Sequence, residues 1–105
     1  MAEWTDKALS MLGLCMRSGS CVSGDTSVEA AIRRNKAKLV ILSHEASDNT
    51  LKKYTHLCDK KHILMVNGPD KETLGGAIGK GSRTLVAITD THWAKTMLDT
   101  MGVLR

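Results

Sequence analysis

The chain has 105 residues, 42% of them hydrophobic and 25% charged, so it is sized for one hydrophobic core and has enough apolar surface to offset chain entropy. Wholesale disorder and a two-domain arrangement are excluded, and strongly apolar stretches such as residues 39–42 and 63–66 fall far short of the roughly 20 residues that a membrane-spanning helix needs. Fifteen Lys and Arg against eleven Asp and Glu leave a formal net charge of +4, which favours polyanionic partners.

In residues 5–17 apolar side chains recur at Ala8, Met11, Leu12 and Cys15, the spacing of a helix with one buried face, and Ser18-Gly19-Ser20 ends it. A very short strand is expected over 21–23, then a short amphipathic helix that buries Val28, Ala31 and Ile32 and runs to about Asn35. Residues 38–42 form a β-branched-rich apolar run suited to a buried strand, and the polar 43–49 segment reads as a loop and helix cap. Leu51, Tyr54 and Cys58 give the next helix its inward face, and residues 63–66 repeat the strand pattern. Asn67-Gly68-Pro69-Asp70 then punctuates the chain, with Pro69 expected as the first residue of a helix that buries Leu74, Ala77 and Ile78. Gly79-Lys80-Gly81-Ser82 breaks that helix, and residues 84–88 form a further strand. Thr89 or Asp90 caps a last helix with the stripe Trp93, Ala94, Met97, Leu98 and Met101. Strands alternating with helices predict an α/β fold, a three-layer α-β-α sandwich with a mixed central sheet of about four strands, as one domain over residues 1–105.

The three cysteines, Cys15, Cys21 and Cys58, are an odd number, and Glu3 and Asp6 stand where a secretory signal would be basic. Reduced thiols in the cytoplasm are therefore expected, with no disulfide framework. The histidines lack the spacing of a zinc site, so no metal is expected. The segment 75–82 looks like a phosphate-binding loop, but Leu74 stands where the first glycine belongs and Gly81 where Ser or Thr belongs. It also follows a helix and precedes a strand, the reverse of what phosphate capture by a helix N-terminus requires. Cys58 with His56 or His62 is the nearest approach to a nucleophile pair, and residues two apart on a helix face apart. No cofactor and no enzymatic activity are expected.

The basic residues are grouped as Arg33, Arg34, Lys36 and Lys38, then Lys52 and Lys53, then Lys60 and Lys61, then Lys80 and Arg83. With Trp4, Tyr54 and Trp93 as the only aromatic residues, a base-stacking platform has little material. Two backbone features suit phosphate or sugar contact: Gly24-Asp25-Thr26-Ser27 opening a helix, and Gly79-Lys80-Gly81-Ser82-Arg83 opening a strand. Thr26, Ala30 and Arg34 lie four apart, opposite Val28, Ala31 and Ile32. Plain N-capping by Asp25-Thr26-Ser27 and a tight turn near Lys80 are the bland alternatives.

Leu12-Gly13-Leu14, Arg17-Ser18-Gly19, Val22-Ser23-Gly24, the run from Ala37 to Leu42, Leu74-Gly75, Ala77-Ile78-Gly79 and Val86-Ala87-Ile88 resemble, in order and spacing over nearly the whole chain, the kink-turn-binding ribosomal protein family in its small bacterial branch. The resemblance implies an α-β-α sandwich that binds a sharply bent RNA whose kink is flanked by tandem sheared G·A pairs. In that family an Asn-Glu pair and a following Lys at the start of the second helix read the purines, and the loop before the last strand closes over an extruded nucleotide. The matching positions are Thr26, Ser27 and Ala30, and Lys80, Gly81, Ser82 and Arg83. Thr and Ser reach less far than Asn and Glu, and Ala30 offers neither charge nor hydrogen bond, so base readout should be weaker, with Arg34, Lys80 and Arg83 left to hold phosphates.

The expectation is therefore a monomeric RNA-binding protein of the translation machinery, with structured ribosomal or regulatory RNA as partner and the ribosome or translation factors as further partners. Its candidate RNA-binding residues are Gly24, Asp25, Thr26, Ser27, Ala30, Arg34, Lys80, Gly81, Ser82 and Arg83. One alternative is a non-catalytic protein-interaction or ribosome-assembly module that keeps the fold but has lost kink-turn specificity; apolar surface around Gly24 and Gly81 would mark it. Another is a relative of the substrate-recruiting domain of some RNA methyltransferases.

Overall fold

The structure, a computed structural model, describes residues 4–103; Glu3, part of the expectation about the amino terminus, lies outside them. The elements run α1 (Asp6–Arg17), β1 (Cys21–Ser23), α2 (Asp25–Arg33), β2 (Leu39–Ser43), α3 (Asp48–Lys61), β3 (Leu64–Gly68), α4 (Lys71–Ala77), β4 (Leu85–Ile88) and α5 (Thr91–Met101). Four helices start at a side chain that accepts from a first-turn N–H: Thr5 from Ala8, Ser47 from Thr50, Asp70 from Thr73 and Asp90 from Trp93. α3 and α5 end on left-handed residues, His62 at φ 59° and Gly102 at φ 71°.

The strands form one sheet in the order β1-β4-β2-β3, with β2 and β3 parallel and the other two pairs antiparallel. Both faces are covered, and the period-two alternation of β2 and β4 decides which side chain serves which face. Leu39, Ile41, Val86 and Ile88 pack with α1, α4 and α5. Val40, Leu42, Leu85 and Ala87 pack with α2 and α3. The mixed four-stranded α-β-α sandwich expected from the sequence is the architecture found.

Several local expectations are corrected. Pro69 is not the first helical residue, because the Asp70 carboxylate takes the capping position and Pro69 lies just before it. Asn67 and Gly68 belong to β3 rather than to a turn, since the parallel ladder with β2 continues to the pair Ser43 and Gly68. Leu51 is 44% exposed rather than inward, and Leu57 takes its place beside Tyr54 and Cys58. Ala77 is half-buried, leaving Leu74 and Ile78 as the buried side chains at that end of the chain's fourth helix.

Two features of this topology position the surface described next. Ser23 at the end of β1 pairs with Val86 near the start of β4, so the start of α2 meets the segment that leads into β4. Leu39 pairs with Leu64, so β2 and β3 begin side by side, and the C-terminal ends of α2 and α3 meet at the opposite end of the sheet.

Candidate nucleic-acid interface

Residues 23–25 and 82–85, about sixty positions apart, are joined by two hydrogen bonds. Gly24 N–H donates to the Leu85 carbonyl at 3.0 Å, and Arg83 Nε donates to Ser23 Oγ at 3.3 Å. Gly24 stands at φ 90°, a conformation that favours glycine, and turns the chain from β1 directly into α2. α2 has no side-chain cap. Its first intrahelical bond runs from Val28 N–H to the Gly24 carbonyl, and the N–H groups of Thr26 and Ser27 meet no acceptor among the described residues. Free N–H groups and the positive end of the helix dipole therefore face outward beside the 79–83 loop.

That loop is held closely against α4. Lys80 N–H donates to the Gly75 carbonyl at 2.9 Å, and Arg83 N–H donates to the Lys71 carbonyl at 3.0 Å. A methyl group at Gly75 would lie 1.8 Å from the Gly81 carbonyl oxygen, so only glycine permits the contact. Arg83 Nη1 donates to the Ser82 carbonyl at 3.0 Å and lies 3.4 Å from the Gly81 carbonyl. Its guanidinium thus follows its own loop, and no carboxylate among the described residues pairs with it.

Between the two segments lies an open groove of about 420 Å³, lined by Ser23, Gly24, Asp25, Thr50, Ser82, Arg83, Thr84 and Leu85. Apart from Gly24 and Leu85, the lining residues carry hydroxyl or charged side chains. Asp25 is held from below: the buried Tyr54 hydroxyl donates to its carboxylate and, at 3.1 Å, to its carbonyl. Burial, and after it the bond to Asp25, raises the Tyr54 hydroxyl above the ordinary tyrosine range, so it stays a donor. Lys53 Nζ lies 3.7 Å from Asp25 and 2.7 Å from Glu29, which Arg33 also binds at 2.8 Å. The bonds from Lys53 and then Arg33 hold the Glu29 carboxyl below its usual range, so the acids nearest the groove are charge-compensated.

The ten residues singled out from the sequence are brought together in part. Gly24, Asp25, Ser82 and Arg83 line the groove. Ser27, Ala30 and Arg34 line a second depression of about 360 Å³ with Val22, Lys36 and Thr89, between α2 and the edge strand β1. Thr26 is exposed on the first turn of α2, and Lys80 and Gly81 are exposed in the loop without lining either space. Ser23, Thr50 and Thr84 are lining residues the sequence reading missed; strand register and the start of α3 bring them in, and no local motif marks them. His56 is exposed while Cys58 is buried, its thiol pushed up to about 11 by that burial, so the pair is no activated nucleophile.

Residues 6–98 match the ribosomal protein L7Ae/L30e/S12e/Gadd45 family. Over 88 residues, covering 84% of this chain and 88% of the relative, the sequence is 39% identical to the RNA-binding protein YlxQ of Bacillus subtilis. It is 30% identical over 87 residues to the large ribosomal subunit protein eL8 of Thermoplasma volcanium, covering 82% of this chain and 72% of that one. A solved Bacillus halodurans protein of unknown function superimposes with a TM-score of 0.88 at 30% identity, covering 93% of this chain and 99% of that one. The chain belongs to the ribosomal protein L7Ae/L30e/S12e/Gadd45 family.

Proposed function

We propose that this protein binds a structured RNA of the translation machinery, of kink-turn type, through the start of α2 and the 79–83 loop. The observation that carries the reading is the convergence of an uncapped helix N-terminus and a glycine-built basic loop on one polar groove. Free N–H groups and the helix dipole suit a phosphate, and Arg83 adds a cation with no competing carboxylate. Thr26 supplies a short exposed hydroxyl on the first turn of α2, within the scope of sugar and phosphate contact rather than bidentate base reading. Recognition therefore rests on the shape of the RNA backbone more than on base edges. The name of the Bacillus subtilis relative and the ribosomal proteins in the family support an RNA partner. The exposed Lys80 and Ser82 and the unpaired Arg83 beside Gly81 favour RNA over the protein-interaction alternative, which called for an apolar rather than basic surface around Gly24 and Gly81.

Lys80→Ala and Arg83→Ala test the reading. Each should weaken binding to a kink-turn RNA and lower the salt slope of log affinity by about 1, because each lost phosphate contact releases one fewer counterion. Unchanged affinity and slope in both variants would overturn the proposed surface.

A further inference from the structure

We infer that the opposite end of the sheet is a second RNA-backbone surface, formed by the C-terminal ends of α2 and α3 and the start of β2. The inference rests on the RNA-binding function proposed above and extends it.

Arg33, Arg34, Lys36, Lys38, Lys60 and Lys61 converge there because β2 and β3 are parallel and start together. Asn35, Ala37, Lys38, Lys61, His62 and Ile63 enclose a polar depression of about 280 Å³ at the centre of the cluster. Lys61 Nζ reaches Asn35 Oδ1 at 3.1 Å and the Arg33 carbonyl at 3.4 Å, and Lys38 Nζ lies 3.5 Å from the Asn35 carbonyl. Two held cations thus rim the depression, Lys61 from the end of α3 and Lys38 from the segment that leads into β2.

Cations near helix C-termini have an ordinary explanation, which is to offset the negative end of the dipole. Here the backbone already provides much of that. Lys36 and Ala37 N–H both donate to the Ala31 carbonyl, and Ile63 N–H donates to the Cys58 carbonyl at 2.9 Å. Lys38 and Lys61 cover further carbonyls. Arg34, Lys36 and Lys60 remain without a hydrogen bond or ion pair from any described side chain, all exposed. Of the acids near this end, Glu29 is bound by Arg33, Asp90 caps α5, and Asp59 lies in the last turn of α3. With Arg33 the one cation of the six in an ion pair among the described residues, the cluster keeps an excess of positive charge that repels itself in the free protein, and a polyanion relieves that repulsion.

The two surfaces are connected. Thr50, in the first groove, and Lys61, at this end, are eleven residues apart on α3, about 16 Å along its axis. Between α2 and β1, the depression containing Ser27, Ala30, Arg34 and Lys36 spans the length of α2 that separates them. One RNA held at the groove can therefore lay a backbone along α2 and end on the cluster.

The test uses the full chain and two kink-turn RNAs, one with minimal stems and one with both stems lengthened by a helical turn. The native protein should bind the longer RNA more tightly and with a steeper salt dependence. Lys36→Gln/Lys60→Gln, which removes no internal bond among the described residues, should lose roughly three- to tenfold in affinity on the longer RNA and about 1–2 from its salt slope. Its affinity for the minimal RNA should stay the same, and its thermal midpoint should stay level or rise as repulsion falls. Lys38→Gln/Lys61→Gln should show the same selective loss. Native-like affinity and slope for both double variants on the longer RNA would overturn the second surface alone. Equal losses on both RNAs would overturn it by assigning these lysines to the first groove. Failure of the native chain to bind either RNA would overturn the function along with it.

Discussion

Arg83 Nε donates to Ser23 Oγ at 3.3 Å, so one guanidinium ties the loop before β4 to the last residue of β1 while its other nitrogen follows the Ser82 carbonyl. The side chain both shapes the groove and charges it. Arg83→Lys keeps the charge but loses the planar fork that makes these contacts together. It should cost about 1 kcal/mol of stability, the scale of one ordinary hydrogen bond, and should bind kink-turn RNA more tightly than Arg83→Ala but less tightly than the native chain. Chemical denaturation with RNA titration checks both, and equal binding by the two variants would remove charge from Arg83's role.

Gly75 and Gly81 are in backbone contact, and a Cβ at position 75 would meet the Gly81 oxygen at 1.8 Å. The obstructing atom is main chain, so the loop must shift as a unit. Gly75→Ala should destabilise the fold by about 1–3 kcal/mol and weaken RNA binding beyond what the lost stability explains. Gly76→Ala is the control, since nothing lies within 4 Å of a Cβ there. Matching behaviour of the two variants would show that the loop does not depend on the α4 contact.

The Asp70 carboxyl is lowered chiefly by its hydrogen bonds with Thr73, and the Glu29 carboxyl by those from Lys53 and Arg33. A carboxyl depressed in the folded state binds fewer protons there than in the unfolded chain. Its stabilisation is present above the ordinary carboxylate range and is lost as pH falls through the depressed value. Stability should therefore decline on acidification below that range. Asp70→Asn keeps a capping oxygen but removes the titration, so its decline should be shallower. Denaturant midpoints across an acid series measure this, and parallel curves would contradict it.

Thr26, Ser27 and Ala30 occupy the first turns of α2, with Thr26 and Ser27 exposed. Replacing them with Asn, Glu and Lys lengthens the reach toward base edges and adds directed bonds. Each well-made bidentate base contact contributes about 1–3 kcal/mol of discrimination, so the triple variant should prefer a kink-turn over a plain duplex at least tenfold more than the native chain. An unchanged preference would mean that these positions do not face the purines.

Most of the fold is legible in the sequence because burial here follows simple periods. Leu39, Val40, Ile41 and Leu42 alternate between the two faces of a fully covered strand, and Ala8, Leu12 and Cys15 mark one stripe of α1. What was misread lies where a side chain competes with backbone preference. Asp70 takes the cap and leaves Pro69 just before it, outside the helix that Pro69 was expected to begin, and the parallel ladder draws Asn67 and Gly68 out of an apparent turn. The groove was half legible, since Gly24 and the 79–83 glycines announce tight backbone. Ser23, Thr50 and Thr84 join it through register and helix docking, which no short motif records. Likewise the stripe Ser27, Ala30 and Arg34 turns toward β1 instead of into the groove, a consequence of how α2 crosses the sheet.

The most direct measurement is titration of the purified protein against a kink-turn RNA and against a control with its G·A pairs replaced, each at two salt concentrations. The expected result is tighter binding to the kinked RNA at both salts, with overall affinity falling as salt rises because phosphate contacts supply much of it. Absence of binding to either RNA, even at the lower salt, would contradict the assignment of the α2 start and the 79–83 loop as an RNA-binding surface.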